Sequence, residues 1–518
     1  MGGDFSAKPI WTAGGADTLV TSAANWDTAP DLPDLGSNTA LLSFGKAGDT
    51  ATLPADGNWF VYGMEFTRPF SLVAPVGATP AWVGAGGFTF VGNDPATVGI
   101  AWPLALVGDQ QWMPGSNWTV NVNAPLSGAG SLTIATPGRV NFNVPSTLSG
   151  KVSLSKGSFY VNATNAVGGA GGSLDLDLGF GRYYFCGHIA IDRPINAPDN
   201  SDNNYKGFNV VDDAEVDFNA LVSLQYKQRS MVVGKNAIAR FKAGFNASMC
   251  FQLYGSGNGS GLVIVENVPM TFGDRLYMSG PSIELRVAGN KLNGNVGNFG
   301  SGTLYTKVPY AITNIVSGTY QRVLMTGATL DLCGNDQALG VLSGWGGKVT
   351  SATKATMHLV DDYDNTETQF NSNNCSVRTN KIVWAGLASL SKEGKHGTWL
   401  NAKSTSGGDL SVSKGTLGFL SGGSWANGTN ITVKGTGLLQ VENAAAFGKQ
   451  AEISLSESGR MALDYSGAMK VQGLTVDGKR LLGGTYGAVG SGAANTSDRF
   501  TGTGILKVAG GGAVIMIR

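Results

Sequence analysis

A short phrase that occurs twice decides the fold: "KVSLSKGSFYV" (residues 151–161) and "DLSVSKGTLGF" (residues 409–419). In both copies apolar and polar residues alternate, a Lys-Gly pair interrupts the run, and the alternation then resumes. Alternation with a period of two residues is the pattern of a half-buried β-strand. Each copy therefore predicts a strand, a turn at the Lys-Gly pair, and a second strand.

The alternation also predicts which side chains of the first copy enter the core. The same strand–turn–strand scheme recurs along the chain, for example in "ITVKGTGLLQVEN" (residues 431–443) and "EISLSESGRMALDY" (residues 452–465). We expect the apolar residues of such units to face inward, and the serines between them to face outward. In the first copy the predicted inward residues are Val152, Leu154, Phe159 and Val161.

The spacing of the turns predicts a β-solenoid. The turn glycines Gly415, Gly435 and Gly459 are 20 and 24 residues apart, and a period in this range is typical of one solenoid coil. One strand–turn–strand unit cannot bury its apolar face alone, but stacked coils bury a continuous column. We therefore predict an all-β parallel β-helix, in which these glycines and Gly157 are structural turn residues that supply positive-φ corners.

The two ends of the chain predict caps. Residues 1–70 contain Trp11, Trp26 and Trp59, which are too large for a repeating corner and are interpreted as an N-terminal cap. Residues 471–518 are interpreted as a closing β cap, because an open solenoid end exposes a sheet edge.

The solenoid itself is predicted over residues 71–470, with two loop insertions. The segments near 194–205 and 290–302 are rich in Pro, Asn and Gly. This composition favours loops that leave the coil, and such loops often carry function.

The composition excludes some classes of protein and favours others. The chain has 518 residues, with 36 basic and 36 acidic side chains, so it lacks the basic footprint of a nucleic-acid binder. Charged residues are 14% of the chain, against about 25% in ordinary globular domains. A surface built from Ser, Thr, Asn and Gly is typical of secreted, elongated β proteins. We therefore expect a secreted or cell-surface protein.

The cysteine spacing and the apolar segments indicate no zinc site and no membrane span. The four cysteines form no Cys-x-x-Cys pair, so zinc spacing is absent. They are interpreted as small buried residues, with one disulfide left open as the alternative. No segment has the roughly 20 apolar residues of a transmembrane helix. No apolar signal-peptide core is visible near the N-terminus either, so secretion is inferred from composition alone.

The region of residues 387–419, "LASLSKEGKHGTWLNAKSTSGGDLSVSKGTLGF", resembles the autotransporter-associated β-strand repeat of bacterial surface proteins. "GATLDLCGNDQALGVLSGWGGKV" (residues 327–349) is similar to another segment of that family. The resemblance covers roughly residues 327–508 and the N-terminal segment. The positions that match the family phrase are Lys392, Gly394, Gly397, Thr398, Leu400, Val412, Gly415, Thr416 and Leu417.

The resemblance implies a right-handed parallel β-helix that is exported and displayed at a bacterial surface. The chain departs from the family at its tail "GGGAVIMIR", which is too short for a membrane β-barrel. The expectation is then either a passenger fragment or a free-standing protein exported by another route.

Three carboxylates are the candidate cation site. Asp213, Glu215 and Asp217 in "VVDDAEVDF" are two residues apart, which predicts one shared strand face. Three carboxylates on one face could bind Ca²⁺. The alternative is an outward, solvated face neutralised by Lys227 and Arg229 on the next coil.

Tyrosines near the first predicted loop are the candidate glycan contacts. Tyr183 and Tyr184 lie in "RYYF", and Tyr205 lies close to the Asn-rich segment. A tyrosine beside such a loop could stack on a sugar ring. The alternative is that these rings pack the loop onto the side of the solenoid.

No catalytic pattern emerges from the sequence. The three histidines are far apart, and no nucleophile elbow precedes a helix. The first hypothesis is an extracellular structural or adhesive protein without a catalytic site: a stalk, adhesin or fibre subunit that self-associates or binds a host surface. The second is a carbohydrate-active β-helix, either a polysaccharide lyase or a glycan-binding module. No cofactor is expected, with Ca²⁺ as the open alternative.

Overall fold

The chain is an all-β protein whose parallel sheets stack as a β-solenoid of about 17 turns. In this computed structural model the described residues are 7–29, 31–45, 48–178, 181–197, 207–225, 229–256, 261–273, 276–292, 297–312, 315–316, 319–320, 322–360, 380–395 and 397–510. Their helical content is one short 3₁₀ turn at Ala23–Asn25. The predicted all-β parallel solenoid is confirmed.

The phrase at residues 151–161 folds as its alternation predicts. Strands Val152–Leu154 and Ser158–Val161 flank a three-residue corner. Their buried residues are the four predicted ones, and Ser153 and Tyr160 are only partly buried. Each strand pairs in parallel with the coil before it and the coil after it. Because both of these strands have a neighbour on each side, their backbone N–H and C=O groups are satisfied by the ladder.

Contacts divide the chain into two compact units, Met1–Val268 and Pro269–Arg518. The N-terminal unit contains three parallel sheets, and each sheet receives one strand from successive coils. The strands of its first sheet are Leu41–Phe44, Phe60–Phe66, Ala81–Phe90, Leu104–Leu106, Gln110–Met113, Leu126–Ser127, Leu132–Ile134, Val152–Leu154, Leu174–Leu176, Ile195–Ala197, Val222–Leu224 and Phe245–Ala247.

The second sheet of this unit carries Tyr160 and Tyr184, and the third sheet begins later in the chain. The strands of the second sheet are Thr50–Thr52, Phe70–Val73, Ala96–Ile100, Trp118–Val122, Arg139–Phe142, Ser158–Val161, Arg182–Phe185, Gly207–Val210, Arg229–Val233 and Phe251–Gly255. The strands of the third sheet are His188–Ile191, Glu215–Phe218, Ile238–Phe241 and Leu262–Val265.

The C-terminal unit is built in the same way. Its first strands are Thr271–Phe272, Leu276–Ser279, Ser282–Leu285, Gly297–Phe299, Thr303–Thr306, Ile315–Val316, Thr319–Tyr320, Arg322–Met325, Thr329–Asp331, Val341–Gly344, Lys348–Thr350 and Val383–Trp384. A later sheet contains Gln337–Leu339, Ala355–Leu359, Ala388–Lys392, Leu410–Val412, Asn430–Val433, Glu452–Leu455, Gly473–Val476 and Lys479–Arg480. The remaining strands are Thr398–Leu400, Lys403–Ser404, Thr416–Phe419, Ser424–Trp425, Leu438–Val441, Arg460–Leu463, Ala468–Val471, Gly484–Gly487, Asn495–Thr496, Phe500–Gly502 and Ile505–Val508.

Buried apolar columns fill the inside of each unit. Leu and Val repeat at paired positions, and aromatic rings join them in the N-terminal unit, where Phe218 stacks on Phe241 at 4.9 Å. Trp11 and Trp26 are fully buried and meet edge to face at 5.1 Å. The burial of these large rings removes apolar area from water, which is the main stabilising term in such a core. Capping by residues 1–70 stays a prediction.

Near the C-terminus the ladder changes direction. Gly473–Val476 pairs antiparallel with Lys479–Arg480, and Gly484–Gly487 pairs antiparallel with Ile505–Val508. These antiparallel pairs lie inside residues 471–518, the predicted C-terminal cap. The cap itself stays a prediction.

The predicted loop segments are partly strand. Ile195–Ala197 pairs with Val222–Leu224, and Gly297–Phe299 pairs with Arg322–Met325. These parts of the segments 194–205 and 290–302 therefore belong to the ladder. Residues 198–205 and 293–296 lie outside the described residues.

The turn glycines do not all act as predicted. Gly415 and Gly435 have φ of +68° and +57° and do supply left-handed corners. Gly157 and Gly459 do not, because the left-handed residues there are Lys156, with φ +64°, and Glu457, with φ +56°. Gly157 is needed for space instead, since a Cβ there would lie 2.5 Å from the carbonyl oxygen of Gly138. A Cβ on Gly459 would overlap the Val433 carbonyl oxygen in the same way.

Candidate functional site

The predicted carboxylate group is split between a turn and a strand. Asp213 precedes the strand and takes a left-handed φ of +59°, and its Oδ1 accepts a hydrogen bond from Asn236 at 2.9 Å. Glu215 and Asp217 lie on the outward face of Glu215–Phe218, the second strand of the third sheet. The turn therefore separates Asp213 from the face that it was predicted to share.

Both strand carboxylates are neutralised by the following coil. Asp217 receives Arg240 Nη1 at 3.1 Å and Lys242 Nζ at 2.6 Å. Glu215 is ion-paired with Arg240 and lies 3.4 Å from His188 Nδ1 on the coil before it. Arg240 faces Asp217 directly because the two residues are register partners in the parallel ladder.

These contacts shift the pKa values in the direction that stabilises the charged forms. Burial alone would raise the pKa of Asp217, but hydrogen bonds from Lys242 and Arg240 outweigh it and hold the pKa below the ordinary value. Burial alone would lower the pKa of Arg240, but Asp217 and Glu215 raise it. The group is an outward ion-paired ladder, and each of its charges has a partner.

The basic partners differ from those expected from the sequence. Arg229 is 1% exposed in the second sheet, so it does not face the carboxylates. Lys227 lies outside the described residues. Within the described part of the chain, no group of three His, Cys, Asp or Glu side chains is placed to hold a metal ion. Calcium binding stays a prediction.

The three predicted glycan tyrosines have different surroundings. Tyr183 is 1% exposed, and its hydroxyl donates to the carbonyl oxygens of Leu154 at 2.5 Å and Asp177 at 2.9 Å. Burial, followed by the negative charge of Asp177, raises its pKa well above the ordinary value. A buried ring offers no face to a sugar, so the glycan prediction rests on Tyr184. Tyr205 lies outside the described residues.

Tyr184 belongs to an outward stack on the second sheet. Its ring lies parallel to that of Tyr160 on the previous coil, with centroids 4.5 Å apart and 13° between the planes. The guanidinium of Arg139, one coil earlier, lies 4.0 Å from the centroid of Tyr160. Arg139 Nε also donates to Asn141 Oδ1 at 2.9 Å. Cation–π contact and ring stacking thus hold three successive coils against one another.

An asparagine ladder runs beside this stack. Asn143 donates its amide to Asn123 at 2.7 Å, and Asn162 donates to Asn143 at the same distance. On the strand itself, Asn141 donates to Asn121 at 2.6 Å. The sequence reasoning missed these residues. The signal was present as Asn directly after the strand in "TVNVN", "RVNFN" and "FYVN", repeating after 20 and 19 residues.

Other conspicuous polar groups are structural. Arg193 is fully buried, and its guanidinium donates to the carbonyl oxygens of Leu148 at 2.6 Å, Gly169 at 3.2 Å and Gly150 at 3.3 Å. Burial lowers its pKa to about 10. Because these carbonyls come from different coils, the hydrogen bonds of Arg193 connect neighbouring coils and stabilise their stacking.

Comparisons with protein-family models, with curated proteins and with solved structures returned no match for this chain. Among the described residues, no helix is long and apolar enough to cross a membrane.

Proposed function

We propose that this protein is an extracellular or cell-surface structural protein with an adhesive role, acting as a stalk, adhesin or fibre subunit. The observation that supports it most is the coil-on-coil parallel ladder, in which each coil covers the apolar edge of the one before it. Such an architecture extends by adding coils and presents long repeated faces to solvent. The low charge content and the family-like phrase at residues 387–419 favour a bacterial surface.

The ion pairs on the third sheet also favour a non-catalytic role. A polysaccharide lyase needs a base of lowered pKa, but the pKa of Arg240 is raised by its two carboxylate partners. Asp217 is held as an ionised acceptor by Lys242 and Arg240. We infer that these side chains join neighbouring coils rather than move protons.

Surface display is tested by labelling intact cells of the organism that encodes the chain. An antibody raised against the folded protein is applied to intact and to permeabilised cells, and culture medium is analysed in parallel. Equal labelling of both cell samples, or protein in the medium, is the expected result. Labelling that needs permeabilisation, with none in the medium, contradicts the proposal.

Self-association is the second part of this proposal. A sheet edge at the end of a coil stack is able to pair with another chain. Light scattering over a range of protein concentrations is expected to show growth of the apparent mass. A monomer at the highest concentration contradicts a fibre-forming role and leaves surface display standing.

A carbohydrate-active protein is the second candidate. The observation that favours it is the outward stack of the Arg139 guanidinium on Tyr160 and of Tyr160 on Tyr184. The lyase version is tested by ultraviolet absorbance of unsaturated products across a panel of uronic-acid polysaccharides. We expect no absorbance change. A change that disappears in Arg240→Gln would replace the structural proposal with the catalytic one.

A further inference from the structure

Among the described residues, the outward strand positions of the second sheet in the N-terminal unit include no acidic side chain. In each strand of this sheet the alternate, outward positions form two columns along the coils. From Thr50 to Tyr254 these positions contain Thr, Ser, Asn, Gln, Gly, Val, Tyr and two arginines, and none is Asp or Glu. We call these outward positions the acid-free face.

The two arginines of this face lie in one column. Arg139 pairs with Ser158, and Ser158 pairs with Arg182 on the next coil. Both arginines are exposed. Among the described residues, no carboxylate lies within ion-pair distance of either one, whereas Arg240 on the third sheet holds two. Two cations that face solvent on a surface without anions attract an anionic ligand.

The neighbouring column supplies fixed hydrogen-bonding groups. Asn141 pairs with Tyr160, Tyr160 with Tyr184, and Tyr184 with Asn209. The guanidinium of Arg139 covers one face of the Tyr160 ring, and the Tyr184 ring covers the other. A ligand can therefore reach only the edge and the hydroxyl of Tyr160. Tyr160 is therefore suited to a hydrogen bond with a ligand rather than to stacking on it, and Tyr184 is its register partner in the same column.

The spacing of these groups favours a long ligand. Successive coils are roughly 4.8 Å apart, so Arg139 and Arg182, two coils apart, are separated by about 10 Å along the stack. One coil is close to the length of one sugar residue in an extended polysaccharide. Charged groups on alternate sugars would then reach the two arginines, while the sugars between them meet the Tyr and Asn column.

We infer that the acid-free face binds an acidic polysaccharide, with its carboxylate or sulfate groups on Arg139 and Arg182. Its sugar hydroxyls then bond the Tyr160 and Tyr184 hydroxyls and the Asn141 and Asn209 amides. Guanidinium groups match carboxylate and sulfate oxygens with paired hydrogen bonds. This inference rests on the proposed adhesive function and supplies its ligand class.

The test is binding of the full chain to polygalacturonate, heparin and neutral dextran by affinity electrophoresis and calorimetry. We expect binding to one or both acidic polymers, none to dextran, and weakening as salt rises. Preference for polygalacturonate identifies carboxylate as the ligand group, and preference for heparin identifies sulfate. Equal binding to dextran, or no binding to either acidic polymer, overturns the inference.

Variants locate the site on the acid-free face. The double change Arg139→Gln and Arg182→Gln is expected to weaken binding at least tenfold. Arg460→Gln, at an exposed strand position of the C-terminal unit, is the matched control and is expected to leave binding unchanged. Tyr184→Phe keeps the ring stack and removes the hydroxyl, so a two- to fivefold loss is expected. A double variant that folds and binds like the parent overturns the inference.

Further outcomes distinguish failure of the polysaccharide inference from failure of the proposed surface function. Duplex DNA that binds as tightly as the acidic polysaccharides, through the same arginines, would make the face a general polyanion surface and overturn the assignment. If surface labelling succeeds and polysaccharide binding fails, only the assignment of the ligand is overturned. Failed surface labelling removes the proposed function, whatever the binding result.

Discussion

The two "SKG" corners have the same three residues and different backbones. At residues 155–157 the left-handed residue is Lys156, with φ +64°, and Gly157 has an ordinary backbone. Gly157 N–H donates to Ser155 C=O at 2.9 Å, which closes a tight three-residue turn. At residues 413–415 the left-handed residue is Gly415, with φ +68°. The sequence-based prediction is right for the second corner and wrong for the first.

The difference comes from the coil beneath each corner. The first corner rests on four residues, 135–138, between the strands Leu132–Ile134 and Arg139–Phe142. There Ser158 N–H donates to the Gly138 carbonyl at 3.0 Å, so Gly157 lies against that carbonyl. The second corner rests on the segment between the strands Ala388–Lys392 and Thr398–Leu400, where Gly415 lies against Gly394 and Lys395. A corner in a solenoid is shaped by its neighbour as well as by its own residues.

The largest effect is expected from Gly415→Val. This position combines a left-handed backbone, which costs a β-branched residue about 1–3 kcal/mol, with a Cβ that would lie 2.7 Å from the Lys395 carbonyl oxygen. Overpacking adds about 1–3 kcal/mol, so we expect a loss of about 3 kcal/mol or more in unfolding free energy. Denaturant unfolding of the full chain, followed by tryptophan fluorescence, measures it. A midpoint equal to that of the parent would show that this corner is misassigned.

Gly157→Ala is expected to have a smaller effect. Its backbone suits alanine, so the cost comes only from the Cβ, which would lie 2.5 Å from Gly138 O and 2.9 Å from Thr136 O. We expect a loss of about 1–3 kcal/mol. Gly415→Ala in the same assay is the control, and it should cost more because it adds backbone strain. The reverse order would break the distinction between the two corners.

Exchanging each lysine for glycine should give effects of opposite sign. Lys156→Gly relieves a left-handed lysine and is expected to stabilise by up to about 1 kcal/mol. Lys414 is not left-handed, so Lys414→Gly relieves no backbone strain. It removes the side chain and adds freedom to the unfolded chain, and it should destabilise by about 0.5–1 kcal/mol. Thermal unfolding of the two variants beside the parent measures both. If both variants shifted the unfolding temperature in the same direction, the assignment of Lys156 as the left-handed residue of its corner and of Gly415 as that of the other would be contradicted.

Lys414→Ala is expected to have the smallest effect. Lys414 is partly buried at its corner, and a surface truncation of this kind usually changes stability by about 0.5 kcal/mol or less. Hydrogen exchange of the strands Leu410–Val412 and Thr416–Phe419 checks the result locally. A loss comparable to that of Gly415→Val would mean that the lysine side chain, rather than the glycine backbone, holds this corner.

At the candidate sites too, the local sequence pattern decides which face a side chain lies on, and the neighbouring coil decides what that side chain contacts. The alternation in "RYYF" places Tyr183 and Tyr184 on opposite faces, and the structure buries Tyr183 while Tyr184 stacks on Tyr160. The partners of Asp217 were out of reach of the sequence, because Arg240 and Lys242 meet it across the ladder from 23 and 25 residues away. Pairing register decides such contacts, and register depends on the length of every corner between the strands.

The sequence by itself determined that the chain is all-β, that its coils repeat after about twenty residues, and that alternate residues fill the core. Period-two alternation and turn glycines fix these features because they act over a few neighbouring residues. Only the tertiary structure decided which residue of each corner turns left-handed, which carboxylates are paired and which face is free of acids. These features depend on the coil before and the coil after, where carbonyls, charges and rings from distant residues come within about 5 Å.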